Sequence, residues 1–305
     1  MKKILVTGGT GFIGSTLIES LLQTEVAITV LSRQNAQAVQ KRWARPVNVV
    51  SSLSVIPASD VFDGIVNLAG EGIMDGRWTL SRKQALMDSR IALTQSLVCW
   101  METRTTLPKV LISGSAIGYY GSRPLEKQLT ENDAPGTDFA AQLCADWEQE
   151  ARLAEKLGVR TCIVRTGIVL HPKGGALKKM LPPFRLGLGG VIGSGQQIMS
   201  WIHLDDMVRL LIFLLEHPQC QGVFNAVAPQ PVSNESFTRA LGNALKRPTI
   251  LTMPAKLLQL LLGESSVLVT GGQYVVPEKI VQAGFGFGHQ DLQHVFSRWF
   301  SPDIS

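Results

Sequence analysis

Two rhythms of apolar and polar positions run along this chain. Lys3 to Thr7, Ala27 to Ser32, Val47 to Val50, Gly64 to Leu68, Lys109 to Ser113 and Arg160 to Arg165 are short apolar runs that read as strands. Between them, Phe12 to Gln23, Ser89 to Thr103 and Gln142 to Leu157 show the spacing of amphipathic helices. Parallel strands need long crossovers, and a helix in each crossover covers a face of the sheet. The alternation therefore predicts an α/β fold: a Rossmann-like, doubly wound parallel sheet with helices on both faces.

The texture changes after Leu170. His171 to Gly195 is rich in Gly and Pro and predicts a long excursion. Helical pattern resumes at Leu204 to Glu216, and Val223 to Val227 reads as a further strand. On this reading residues 1–170 form a nucleotide-binding domain to which the chain returns at about 196–228. Residues 171–195 and 229–305 build a smaller, discontinuous substrate lobe.

The first strand runs into Gly8-Gly9-Thr10-Gly11-Phe12-Ile13-Gly14 and then a helix. Gly8 permits the tight turn, Gly11 admits a pyrophosphate close to the backbone, and Gly14 lets the helix approach the strand. Thr10, Phe12 and Ile13 belong to the same cofactor-binding turn. Strand two ends at Ser32-Arg33, where an NAD-binding chain places a carboxylate on the ribose 2′-hydroxyl. A hydroxyl and a cation there suit a 2′-phosphate, which predicts NADP(H) as cofactor. Small residues at Leu68-Ala69-Gly70-Glu71 end another strand on the edge that faces it.

Composition narrows the picture without redirecting it. With 45% hydrophobic and 17% charged residues the chain is of globular type, and its +5 charge is scattered. No aromatic-basic cluster or helix-turn-helix pattern points to nucleic acid. Cys99, Cys144, Cys162 and Cys220 lack metal or disulfide-framework spacing, so no metal is expected and the thiols read as reduced and buried. The first strand begins at Lys3, and the longest apolar run, Leu210 to Leu215, is too short to span a bilayer. A cytoplasmic protein with no membrane partner is the expectation.

From end to end these residues resemble the extended short-chain dehydrogenase/reductase superfamily. Thr7 to Gly14, Asn67 to Gly70, Ser113 to Gly121, Trp201 to Asp206 and Phe224 to Ala226 are similar to its landmarks, in order. More narrowly, Ser32-Arg33, Leu68 to Glu71, Ser89-Arg90, Ile117 to Gly121, Pro183 to Gly190 and Val276 to Lys279 resemble the YfcH-type epimerase family group. That resemblance implies an NADP-binding fold and places Ser32, Arg33, Leu68, Ala69, Glu71 and Arg90 around the cofactor, with Ser113 on the active-serine strand.

In the superfamily a Tyr, lowered in pKa by a Lys four residues on, acts as general acid/base beside a polarising Ser or Thr. Here Ser115 matches the serine, but the helix that should carry the pair reads Asp138-Phe139-Ala140-Ala141-Gln142-Leu143-Cys144. Tyr119 and Tyr120 are the phenols left near Ser115, and all three are the candidate catalytic residues. Arg185 on the Gly-rich excursion suits an anionic substrate group. Trp201 and His203 precede the next helix as substrate-side candidates, Asp205 and Asp206 read as its caps, and Glu131 and Asp133 as a solvated acidic turn. Two functions stay open: an NADP(H)-dependent oxidoreductase or epimerase-like enzyme acting on a small molecule such as a nucleotide-linked sugar, and an NADP(H)-binding module without turnover. A homodimer is the expectation from fold analogy.

Overall fold

A computed structural model describes residues 1–124 and 126–300. The apolar runs Lys3–Thr7 (β1), Ala27–Leu31 (β2), Asn48–Val50 (β3), Gly64–Asn67 (β4), Val110–Ala116 (β5), Arg160–Thr166 (β6) and Gly222–Ala226 (β7) become strands. They join in one parallel sheet in the order β7-β6-β5-β4-β1-β2-β3. Strand order reverses at β1, which is flanked by β2 and β4, and a crevice at such a switch point is where a doubly wound sheet binds its ligand. The predicted Rossmann-like class is what the chain adopts.

Helices cover both faces because the strands are apolar throughout. Phe12–Leu21 and Leu204–Glu216 bury Leu17, Ile18, Met207, Leu211 and Leu214 against Ile4, Val6, Ile112 and Val164. Leu93–Glu102 packs Leu97, Val98 and Met101 on Leu5, Ile65 and Leu111 of the opposite face. Ile280 and Phe285, which the sequence reading put in the smaller lobe, lie in the main core. A second cluster, with Leu177, Phe184, Trp201, Phe237 and Phe296 at its centre, forms beside the sheet.

The excursion expected over His171 to Gly195 is not a plain loop. Gly175–Arg185 is a helix with Pro182 and Pro183 inside it, burying Leu177, Leu181 and Phe184. Those three positions have helical spacing, and their burial outweighs the missing Pro N–H bonds near the end of the helix. Among the described residues no helix is long and apolar enough to cross a membrane.

Candidate functional site

The switch-point crevice is shaped by backbone contact. Gly8 has φ +66, and a Cβ there would lie 2.6 Å from the Leu68 carbonyl. At Gly14 a Cβ would lie 2.3 Å from the Gly8 carbonyl oxygen, so turn and helix meet without a side chain between them. Gly11 is the N-cap residue and no side chain caps that end, which leaves the first-turn N–H groups to an incoming anion. The chain Thr7 Oγ1 to Asn67 Oδ1 (2.6 Å), Asn67 Nδ2 to Thr94 Oγ1 (2.8 Å) and Trp147 Nε1 to Thr94 Oγ1 (2.9 Å) pins the ends of β1 and β4 to two helices.

The crevice is a cleft of about 1190 Å³. Of the residues expected around the cofactor, Gly8, Thr10, Gly11, Ser32, Arg33, Leu68, Ala69, Gly70 and Glu71 line it. Phe12, Ile13 and Gly14 stand behind the turn, and Phe12 fills the space that side chains at Gly174 and Gly175 would take. Arg90 stands behind the cleft wall: its guanidinium packs against Gly70, donating to the Glu71 carbonyl at 2.8 Å and lying 5.5 Å over the Trp147 ring. Burial lowers its pKa from the ordinary arginine value. Ser113 is fully buried in β5 and does not reach the cleft.

Sequence reasoning missed part of the wall. Ser51, Ser52 and Ser54 follow β3, and Ala85, Ser89, Ala92, Ser96 and Cys99 come from the helical run along the cleft. A serine cluster at the carboxyl edge of a strand was the signal available. Asp88–Ala92 is a π-turn inside that run and brings Ser89 Oγ to accept from the Glu71 N–H at 3.1 Å. Cys99 is exposed there, whereas the other three thiols are buried as read.

At the outer end of the cleft Arg33 is 92% exposed and stands 3.5 Å from Glu71, whose other oxygen is 3.4 Å from Arg82. Exposed pairs of this kind contribute little, so Arg33 is free to turn toward a ligand. Arg42 donates to the Thr10 carbonyl and to Gln34 at 3.0 Å each, while Ser32 Oγ accepts from the Gln34 N–H.

The candidate catalytic residues lie in and around a buried ionic network. Ladder register sets Ser115 beside Arg165 and Arg165 beside Asn225. Arg165, 2% exposed, grips Glu148 with two bonds of 2.8 and 2.9 Å; Ser115 donates to the same carboxylate at 2.7 Å. Arg165 also donates to the Tyr120 hydroxyl, which donates to Asn225 at 2.7 Å. Burial would lower the Arg165 pKa, but Glu148 and Tyr120 more than offset this and raise it. Burial pushes Tyr120 up to about 12 despite Arg165, so this phenol stays protonated and is ill suited to exchange protons near neutrality.

Tyr119, its neighbour, stays half-buried with its ring 3.4 Å from the Arg165 guanidinium carbon, and borders a second cavity of about 600 Å³. Ser115 and Arg185 line neither cavity. Glu131, expected to be solvated, is 7% exposed and accepts from the Asn225 and Lys279 N–H groups; burial raises its pKa.

The substrate-side candidates are not brought together. Arg185 ends its helix at the exposed surface. Trp201 is fully buried and donates to the Gln230 carbonyl, a packing role inside the second cluster. His203 Nδ1 accepts from the Asp205 N–H, so His203 caps the helix, the task expected of the aspartates. Asp206 instead takes the Gly288 and His289 N–H groups and Arg209.

The His203 and His289 rings stack at 3.7 Å and 8°, and parallel rings so placed do not aim both lone pairs at one ion. Burial and His289, with a smaller push from His171, lower His203 to about 4 against opposing pulls from Asp205 and Asp206. An unfolded chain then takes up this proton first, so the stability contributed by the neutral ring is complete above pH 6.5 and is lost as pH falls through about 4. The urea midpoint is expected to drop across that window, and to drop less in His203→Asn, which keeps an acceptor without a titration. Identical profiles would remove His203 as the cause.

With this geometry in place, comparison with known proteins settles the lineage. The profile of the NAD dependent epimerase/dehydratase family matches residues 4–226, and a domain of unknown function, DUF1731, matches residues 253–298. The chain belongs to the epimerase/dehydratase family. An epimerase family protein of Mycobacterium bovis is 38% identical over 293 residues, covering 95% of this chain and 94% of its own. A crystal structure of the human epimerase family protein SDR39U1 (isoform 2), with NADPH, superposes with a TM-score of 0.88 at 31% identity, covering 99% and 100% of the two chains. The nucleoside-diphosphate sugar epimerase of Corynebacterium glutamicum follows at 0.75 and 28%; this chain spans 57% of that one.

A nicotinamide cofactor is the family's working group, and the cleft fits one. Glycines at 8, 11 and 14 leave room for the pyrophosphate, and a Cβ at position 70 would meet the Arg90 guanidinium at 3.0 Å. Ala140 and Cys144, four residues apart on the helix Phe139–Arg152, are both buried. Burial and the Glu148 charge push the Cys144 thiol up to about 11, so it stays protonated near neutrality.

Proposed function

We propose that this protein binds NADP(H) in the switch-point cleft and is an NADP(H)-dependent oxidoreductase or nucleotide-sugar epimerase-like enzyme. The observation that carries the cofactor choice is the corner after β2. Ser32 and Arg33 line the cleft there, Arg33 and Arg82 both stand at the Glu71 carboxylate, and Arg42 is bonded to Gln34, so three guanidinium groups meet this corner; Asp88 is the other carboxylate of the cleft wall. A 2′-phosphate gains charge-assisted bonds in such a corner. The human relative seen with NADPH supports the same choice. Gly8, Thr10 and Gly11 receive the pyrophosphate, while Leu68, Ala69 and Gly70 flank the ribose on this reading.

When bound, the cofactor supplies hydride transfer; the protein has to orient the substrate and move a proton. Tyr119 is the candidate for that proton, since Tyr120 is sealed in the network, but it borders the second cavity and not the cofactor cleft; Ser115 is the candidate positioning hydroxyl. Nucleoside diphosphate sugars head the substrates to screen, given the name of the Corynebacterium relative. A second reading, cofactor binding without turnover, is favoured by one feature: Ser115 is already committed to Glu148 inside the protein.

Arg33→Ala is expected to weaken NADPH binding by about ten- to a hundredfold, the worth of one or two charge-assisted bonds, and NADH binding little. Fluorescence titration with both cofactors checks it, and parallel losses would show that Arg33 acts through the fold. If NADPH binds and no carbonyl or nucleotide-sugar substrate changes its absorbance in single turnover, the second reading stands.

A further inference from the structure

Charge is distributed unevenly between the parts of this molecule. Residues 172–204 and 236–263 hold eight cations and no carboxylate, whereas the whole chain is only +5, so the remainder is net acidic. Arg239 is paired with the adjoining Glu235 and Lys179 with Asp75, which leaves six. These two stretches are neighbours in space. Gly190–Ile192 pairs in parallel with Leu251–Met253, and the Cβ positions of Gly187 and Gly193 fall against Pro248 and Ala255.

The same surface is apolar and uncovered. Ile250 is 85% exposed, Leu186 74% and Leu260 71%; Leu188, Leu257 and Leu261 are exposed beside them. The helix Ala255–Leu262 buries none of its residues. A soluble surface rarely gathers so many large aliphatic side chains without a partner. Lys246, Arg247 and Lys256 are interspersed with them and exposed.

We propose that this face of the smaller lobe is a peripheral docking surface for an anionic lipid bilayer. Leu257, Leu260 and Leu261 enter the headgroup–acyl boundary while the cations meet lipid phosphates, as amphipathic surface helices do. A second copy of the chain fits less well, because a twofold pairing would set like cations against each other. The sequence reading expected no membrane partner because no apolar run is long enough to span a bilayer; a peripheral surface needs no such run.

Co-sedimentation with vesicles tests the proposal. The full chain is expected to pellet with a phosphatidylcholine–phosphatidylglycerol mixture, less so as salt rises, and to stay in solution with phosphatidylcholine alone. Lys246→Ala with Arg247→Ala should weaken binding about fivefold for each cation removed. Leu260→Glu with Leu261→Glu should abolish it, with an unchanged melting temperature showing that the fold survives. Absence of pelleting by the parent protein at low salt overturns the proposal, as does retention by the double-glutamate variant. A parent dimer in sedimentation velocity that this variant dissolves would assign the face to a second copy instead. Cofactor titration of the same variants keeps the result separate from the NADP(H) reading.

Discussion

Glu148→Ala is expected to lower folding stability by about 3–5 kcal/mol, the cost of leaving a buried charge without its partner. Arg165 cannot shed its proton, and at 2% exposure it cannot reach water. Ser115 loses its acceptor in the same step. On a chain of this size each kcal/mol moves the melting temperature by roughly 2–4 °C, so a fall of about 10 °C is foreseen. Urea unfolding measures it directly, and a change below about 1 kcal/mol would mean that water enters the network and screens the pair. Replacing Glu148 and Arg165 together by Met is expected to cost less than the sum of the single losses, because neither charge is then stranded.

The second large effect concerns the cofactor. Gly14→Ala puts a methyl 2.3 Å from the Gly8 carbonyl oxygen and 2.9 Å from Gly9 Cα, and neither backbone atom has a flexible side chain to yield. The first helix must retreat from the turn, and with it the N–H groups that meet the pyrophosphate. Cofactor affinity is expected to fall at least about tenfold, in keeping with an overpacking strain of 1–3 kcal/mol placed at the binding turn. Gly76→Ala is the control, since a Cβ there meets nothing within 4 Å. Isothermal titration with NADPH on both variants decides it: equal affinities would show that the turn opens without penalty.

Both effects follow from one design. The strand edge that receives the cofactor is held by neutral hydrogen bonds from Thr7 through Asn67 to Thr94, while the next strands along the edge are tied by ions from Ser115 to Asn225. Asn225 Nδ2 donates on to the Val276 carbonyl, and Glu131 reaches the Lys279 N–H. The ionic part therefore fastens the C-terminal segment to the sheet.

The sheet and the cofactor turn were legible in the chain because their signals are local. A run of apolar residues forms a strand wherever it is buried on both faces, and Gly8, Gly11 and Gly14 are required by contacts within one strand-turn-helix unit. Leu204–Glu216 was readable to the residue for the same reason. Gly175–Arg185 was hidden because Gly174 and Gly175 at its start and Pro182 and Pro183 within it mask the helical spacing of Leu177, Leu181 and Phe184.

What only the tertiary structure decided is which polar side chains face inward. Tyr119 and Tyr120 are adjacent and chemically identical, and both rings pack on Arg165, yet one borders a cavity and the other is sealed against Asn225. Glu131 looked solvated until Asn225, far along the chain, supplied its N–H. Arg90 and Trp201 likewise pack inside the protein, on Trp147 and within the second cluster. Sequence by itself determined the fold class and the glycine-rich strand-turn-helix unit, which depend on near neighbours. Burial and ion pairing depend on strand register and on segments from 17 residues apart, as Glu148 and Arg165 are, to 105 apart, as Tyr120 and Asn225 are, and those contacts exist only in the folded chain.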